Sequence, residues 1–448
     1  MANSYLEANM TGNTASTRMT FSCWIKMNKV DEDGRIFGAQ ANACHAYFNG
    51  DGRLNIDFAA KDSGSVSAKL RTNRRFRDTS AWYHIVFALD TTLGTADDRI
   101  KLWVNGVQET SFETRTNPGQ NDTYAYGQSG YYNVGARSNN TGSAGHYFEG
   151  YISHAAYVDG SALAPTVFGQ TDSTSGIWKF KSPTGVTWGD NGFHLKFENS
   201  GNLGLDSSGE GNNFTTNGNL KQAIDNPSNV YATLNPLTKD GGGAKTYSTG
   251  NTTVVESADS WTTAHSTLGV TTGKWYFEGK VTYSNNQEAY LGACSQQTIQ
   301  DRVNSTHYLG QTTGSVGYYT NGGTYYKGAG AVSYGNSVSG GDIVGVALDL
   351  DNNFIYFSIN GTWQNSGDPT SGSSGTNGIS LPSGMTSGDN IFLSVSPNQS
   401  TINCNFGNGI FGTTAISSAG SNGNGSLFEY DVPSGYYALN TKNLNTYG

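Results

Sequence analysis

Charge is what this sequence has least of. Only 14% of its 448 residues are Asp, Glu, Lys or Arg, against roughly 25% in ordinary globular chains, so its surface must be built mostly from hydroxyl and amide groups. Such a surface suits variable salt, because little of its stability or binding can be screened, and it suits contact with sugars. The net charge of −9 argues against a nucleic-acid partner, whose backbone selects basic proteins. The four cysteines, Cys23, Cys44, Cys294 and Cys404, fall two in each half with no metal-like spacing, which excludes a disulfide framework. No apolar stretch approaches the roughly 20 residues that span a bilayer. The first residues, MANSYLEANMTGNTAS, lack the basic and apolar regions of a secretory signal, so the expectation is a protein made and folded in a cytoplasm. Helical periodicity is nearly absent.

Strand periodicity and turn residues are abundant. The chain holds 60 glycines, 26 tyrosines and 20 phenylalanines, with Gly, Asn, Ser and Thr between short aromatic or β-branched runs, the pattern of many strands joined by tight turns. Met19 to Met27 alternates, Trp82 to Leu89 is an apolar run, and Ile100, Leu102 and Val104 share a face before Asn105-Gly106, a two-residue hairpin turn. HYFEGYISHAAYV supplies one or two more strands, and Ser161 is placed to cap a short helix ending at Gly169. Residues 171–235 carry Trp178, Trp188, Phe193, Leu195 and Phe197, too many for a flexible linker, so they are expected to pack. In the second half GKWYFEGKVTY points Trp275, Phe277, Val281 and Tyr283 inward and Glu278, Lys280 and Thr282 outward. GDIVGVALDLDNNFIYFSINGTW reads as a hairpin turned by Asp351-Asn352-Asn353, with a second turn at Asn360-Gly361. Antiparallel strands at this spacing predict an all-β chain of two antiparallel jelly-roll β-sandwich domains joined by a packed strand-containing segment.

Specific pieces then resemble known families. FSCWIKM, AWYHIVFALD, IKLWVNGVQ, YNVGAR and FEGYISHAAYVDGSALAPTVFGQ make residues 1–170 resemble a laminin-G-like, concanavalin A-like domain. GKWYFEGKV, SVGYYTNGGTYYKG, GDIVGVALDLDNNFIYFSINGTW and INCNFG make residues 236–412 resemble a SPRY domain. The order of the two, with 171–235 between them and a tail at 413–448, is similar to structural proteins of marine bacteriophages. That resemblance implies a virion surface protein: a fibre, a knob or a head decoration, with other virion proteins and host-surface glycans as partners. The first strand starts almost at Met1 and no heptads or shaft repeats are present, so a separate surface subunit fits as well as a fibre tip. The tail is expected to dock or to form trimer contacts, since copies gain avidity by oligomerising.

Concanavalin A-like folds include glycan-cleaving enzymes, which need two carboxylates about 5 to 10 Å apart. No Glu-x-Asp-x-x-Glu pattern occurs, nor GxSxG or HExxH. The seven histidines are scattered singly, and Gly407, Gly409 and Gly412 match GxGxxG without a βαβ unit around them. The expectation is therefore a binding protein. Sugars are held by flat aromatics beside amides and carboxylates. The candidates are Tyr124, Tyr126, Tyr131 and Tyr132 in TYAYGQSGYYN, and secondarily Tyr318, Tyr319, Tyr325 and Tyr326. Arg74 and Arg75, with Arg71 and Arg77 in RTNRRFRD, are either a solvated edge or a site for an anionic group on a glycan. The laminin-G-like resemblance implies a calcium ion at the rim, for which Asp31, Asp33, Asp51, Asp97 and Asp98 are candidates, although each also fits an ordinary Asx turn.

Overall fold

The two Asn-Gly pairs do what their chemistry predicts. Asn105 and Gly106 take φ of 50° and 77°, and Asn360 and Gly361 take 49° and 79°, the left-handed pairs that let a two-residue turn follow the twist of its strands. Around such turns the chain forms antiparallel sheets almost throughout. The computed structural model describes residues 4–12, 17–30, 33–39, 44–59, 66–137, 144–238, 245–283, 288–303, 305–328, 330–385 and 388–448. The chain divides into two units, Met1–Gln222 and Ala223–Gly448.

Unit 1 contains β1 (Tyr5–Met10), β2 (Arg18–Met27), β3 (Gly34–Ala39), β4 (Cys44–Phe48), β5 (Arg53–Ala59), β6 (Val66–Arg75), β7 (Trp82–Asp90), β8 (Ile100–Val104), β9 (Val107–Gln108), β10 (Phe112–Thr116), β11 (Gly130–Val134), β12 (Gly150–Asp159), β13 (Gly169–Thr171), β14 (Trp178–Phe180), β15 (Phe193–Leu195) and β16 (Thr215–Asn217). One sheet runs β10-β6-β5-β4-β3-β11-β1-β16 and the other β15-β12-β2-β7-β8-β9. Alternation along each strand sends Leu6, Ala46, Ile56, Leu70, Phe21, Ile85 and Leu102 into the core between them. Ser161 caps no helix. Pro165 opens a single 3₁₀ turn, Pro165–Val167, whose N-cap is Ala164, because proline at the first position needs no hydrogen-bond partner; the Ser161 carbonyl instead accepts the Thr20 hydroxyl at 2.8 Å.

The segment after residue 170 packs on the outer face of the six-stranded sheet. Trp178 on β14 donates its indole N–H to Nδ1 of His84 at 2.9 Å, and Phe180 stacks on His154 with ring centroids 3.6 Å apart. Trp188 stacks on His194, which lies 5.7 Å from His154. Three histidines that are far apart in sequence are thus gathered beneath this cover, and burial depresses all three, His84 to about 3 and His154 and His194 to about 4.

Unit 2 contains β17 (Thr246–Ser248), β18 (Thr253–Glu256), β19 (Ala264–His265), β20 (Lys274–Tyr283), β21 (Ala289–Ser295), α1 (Gln296–Asp301), β22 (Ser315–Tyr319), β23 (Thr324–Tyr326), β24 (Val332–Ser333), β25 (Ile343–Asp349), β26 (Phe354–Ile359), β27 (Thr362–Trp363), β28 (Ile379–Ser380), β29 (Ile391–Pro397), β30 (Ser400–Asn405), β31 (Ile410–Phe411), β32 (Thr414–Ala415), β33 (Tyr437–Ala438) and α2 (Thr441–Tyr447). One sheet runs β17-β18-β30-β20-β25-β26-β27, with β28 on β26 and β33 parallel to β20; the other runs β19-β29-β21-β22-β23-β24. Trp275, Phe277, Val281, Val344, Val346 and Phe357 fill the core between them.

The outward side of β20 differs from the sequence expectation. Glu278 does face away from the core, yet it is fully buried, because residues beyond 415 fold back across that side of the sheet. Phe428, Val432, Tyr436 and Ala438 pack there on Tyr276, Ala347 and Tyr356. The tail is a cover over this sheet.

Candidate ligand-binding face

The alternation that fills the core of unit 1 leaves the other face of its eight-stranded sheet to polar side chains. Pairing registers align seven of them and one glycine into one row across every strand. In order they are Thr215, Glu7, Asn133, Gly38, His45, Asp57, Lys69 and Thr116. Asn133, His45 and Asp57 are at most 8% exposed, although they face away from the core. Gly38 interrupts the row between Asn133 and His45 and offers no side chain. Beside the row run Arg35, Tyr47, Asn55 and Arg71, and the Arg35 guanidinium lies 3.8 Å from the centre of the Tyr47 ring, a cation–π contact.

The row is electrostatically matched at its Lys69 end. Lys69 Nζ lies 3.2 Å from Asp57 Oδ1 and donates to the Tyr47 hydroxyl at 3.4 Å. Burial opposes the Lys69 charge, but Asp57 outweighs it and the ammonium is held above its usual value. Burial raises Tyr47, helped by Asp57, and burial also raises Glu7 against the opposing amide of Asn133. The face therefore presents the half-buried carboxylate of Glu7, ammonium of Lys69 and phenol of Tyr47 over a buried layer of Asn133, His45 and Asp57, with neighbouring strands about 4.8 Å apart. That is a set of hydrogen-bonding partners suited to a polyhydroxylated chain.

Three arrangements in unit 1 bear on catalysis. Glu7 and Asp57 stand four strand spacings apart, about 19 Å, far beyond the separation that glycoside hydrolysis uses. Asp51 and Glu113 are closer, sharing Arg53 Nη1 at 2.5 and 3.5 Å, and Arg71 binds both again at 2.9 and 2.6 Å. Burial would raise Asp51, but the hydrogen bonds of Arg53 and the charge of Arg71 hold it below its usual value, the opposite of what a general acid requires. Ser22 and His84 also pair, Oγ to Nε2 at 2.8 Å. Both are sealed from solvent. The Trp178 N–H fixes His84 Nδ1 as an acceptor, so the neutral ring carries its proton on the nitrogen facing Ser22 and cannot serve there as a base.

The residues singled out in the sequence take other places. Tyr124, Tyr126 and Tyr132 are fully buried and present no face to a glycan. Tyr126 and Tyr132 surround Phe37 at 5.8 and 6.1 Å, and Tyr124 meets Phe58 at 5.7 Å. The density of tyrosines there serves the core. Tyr131, of opposite parity to Tyr132, is half-buried on the outer face beside Asn9. Arg74 pairs with Glu109 at 2.7 Å, and Arg71 is spent on Asp51 and Glu113. Arg75 and Arg77 are exposed.

Among the described residues the calcium candidates do not form a cage. Asp33 pairs with Arg35 and with His146 at 3.2 Å, Asp51 with the two arginines, Asp98 with Lys101 at 3.1 Å, and Asp97 with Arg115 and Asn117; Asp31 lies outside the described residues. A carboxylate already neutralised by arginine or lysine is a poor calcium ligand. Among the described residues no group of three or more His, Cys, Asp or Glu is placed to hold a metal. The residues that sequence reasoning missed, Glu7, His45, Tyr47, Asp57 and Asn133, sit at alternate positions of ordinary strands, and only the cross-strand register unites them.

Comparison with known proteins agrees with this architecture. Residues 1–168 match the family described as the concanavalin A-like lectin/glucanases superfamily, and residues 274–374 match the SPRY domain family. The chain thus carries a concanavalin A-like domain followed by a SPRY domain. Among solved structures, the SPRY domain of human HERC1 is 13% identical, covering 38% of this chain and 96% of that one with a TM-score of 0.29. The TRIM65 PSpry domain is 14% identical, covering 39% and 89%, also with a TM-score of 0.29. No curated protein matches the chain. The two domains are of kinds that bind carbohydrate or protein.

Proposed function

We propose that this chain is a non-catalytic surface protein of a bacteriophage particle, a fibre, knob or head decoration, and that it contacts host-surface glycans through unit 1. The observation that carries the glycan contact is the set of half-buried polar groups Glu7, Tyr47 and Lys69 on the sheet face away from the core, held from beneath by the buried Asp57 and Asn133 of the same in-register row. The low charge of the chain and the order of its two domains support the particle setting. Within unit 1, the wide spacing of Glu7 and Asp57 and the arginine-locked Asp51 and Glu113 support binding without cleavage. Neighbouring virion proteins and further copies of the chain, a trimer in a fibre or knob, are the partners this role entails.

The test is a glycan array probed with the full chain and with Asp57→Asn, which unpairs Lys69, and Tyr47→Ala, paired with peptide mass spectrometry of purified particles. Wild-type signals that fall at least tenfold in both variants, with the chain present in particles, are expected. A blank array removes the glycan role, and absence from particles removes the virion role.

A further inference from the structure

The outer face of the second sheet of unit 2 carries a patch of five aromatic rings. Tyr290 on β21 lies at its centre, 3% exposed. Tyr308 and Tyr319 stack on it at 4.9 and 4.8 Å, Tyr326 meets it edge-on at 5.4 Å, and Trp261 leans against it at 5.0 Å. The four outer rings are half-buried. Strand parity creates the patch: Tyr318 and Tyr325 turn into the core while Tyr319 and Tyr326 turn outward, which divides GYYTNGGTYYKG between structure and surface.

A string of polar groups borders the rings. Tyr319 donates its hydroxyl to Glu288 Oε1 at 2.9 Å. Asn398 Nδ2 donates to Glu288 Oε2 at 3.0 Å and to Asp259 Oδ1 at 3.3 Å. Asn398 is 3% exposed, and its Oδ1 has no hydrogen-bond partner among the described residues. Lys327, next to Tyr326, turns its ammonium to the Ser380 hydroxyl at 2.9 Å.

We propose that this patch, Trp261, Tyr308, Tyr319 and Tyr326 with Glu288, Asp259 and Asn398, is a second saccharide site that takes a neutral pyranose. The aromatic surface receives the C–H face of the ring, and the carboxylate oxygens of Glu288 and Asp259, held in place by the Asn398 amide, accept its hydroxyls. The two carboxylates repel a uronic or sialic acid. The inference rests on the glycan-contact reading and extends it to a different face in the other unit.

Saturation-transfer NMR on the full chain tests it, with the methyl glycosides of glucose, galactose, mannose and N-acetylglucosamine set against glucuronic and sialic acids. Saturation of a neutral pyranoside at its ring C–H protons is expected, reduced at least fivefold in Trp261→Ala and in the near-isosteric Glu288→Gln, with no saturation of the acids. Unchanged signals in both variants, a preference for the acids, or no saturation by any neutral glycoside overturns the proposal. Signals lost only in Asp57→Asn overturn this site and leave the glycan role of unit 1 standing.

Discussion

Glu278 Oε2 accepts the backbone N–H of Glu429 at 2.9 Å, across 151 residues of sequence, and its Oε1 accepts that of Tyr430 at the same distance. Tyr276 and Asn405 complete the shell at 3.2 and 3.4 Å. A carboxyl group sealed between a sheet and its cover is what remains of a position that strand parity alone assigns to solvent. Removing residues 416–448 would expose Tyr276, Tyr356 and this carboxyl together. A chain ending at 415 is expected to lose the cooperative unfolding transition of unit 2 while retaining that of unit 1, which differential scanning calorimetry resolves.

The two units should respond to pH in opposite senses. Burial raises Glu278 from 4.5 to about 7, so the folded state holds its proton more tightly than the unfolded state. That stability is fully present below about pH 4.5 and is lost as pH rises towards 7, by roughly 1 kcal/mol per pH unit. His84, His154 and His194 are depressed from 6.5, so their contribution is present above pH 6.5 and is lost as pH falls towards 4. Hydrogen exchange between pH 5 and 7.5 should show unit 2 loosening on the alkaline side and unit 1 on the acid side. Glu278→Gln should flatten the first slope only.

Lys274 Nζ lies 2.8 Å from Asp349 Oδ2, and the aspartate side chain is completely buried. Asp349 also accepts the N–H and the side-chain amide of Asn352 at 2.9 Å each, which shapes the β25–β26 turn. Lys274→Met leaves that carboxylate unpaired and is expected to cost about 3–5 kcal/mol in urea unfolding. Adding Asp349→Asn should recover part of the loss, a coupling that a double-mutant cycle measures.

Gly169 is glycine for a steric reason. A Cβ there would lie 2.4 Å from the Trp178 ring, so Gly169→Ala must displace the indole that donates to His84. Destabilisation of unit 1 by about 2 kcal/mol and a red-shifted tryptophan emission are expected, and an unchanged spectrum would contradict the contact.

Local features of this fold were legible and non-local ones were not. The Asn-Gly turns, the β25–β26 hairpin and the inward sets on β8 and β20 follow from period-two alternation and from residues that tolerate positive φ. The packing of Trp178 and Trp188 was legible because two large apolar rings do not stay in solvent. Tyr124, Tyr126 and Tyr132 misled because a dense tyrosine cluster has the same composition whether it faces a core or a sugar. The polar row of unit 1 could not be read at all, since Glu7, Asn133, His45 and Asp57 meet through pairings set by strand order. Glu278 was placed on the correct side of its strand, but nothing near it in sequence announces a cover arriving from residues 428–438.

That cover also sets an order of events during synthesis. Unit 1 is closed by β16, which pairs with β1 at Thr215–Glu7, so it can fold while the second unit is still being translated. Unit 2 needs β33 beside Trp275 and Tyr276, and Asn440 bridged to Tyr231, so its first residues must wait for its last. Until the stretch from Phe428 to Asn440 emerges from the ribosome, Tyr231, Tyr276 and Tyr356 lack the side chains that cover them in the folded unit.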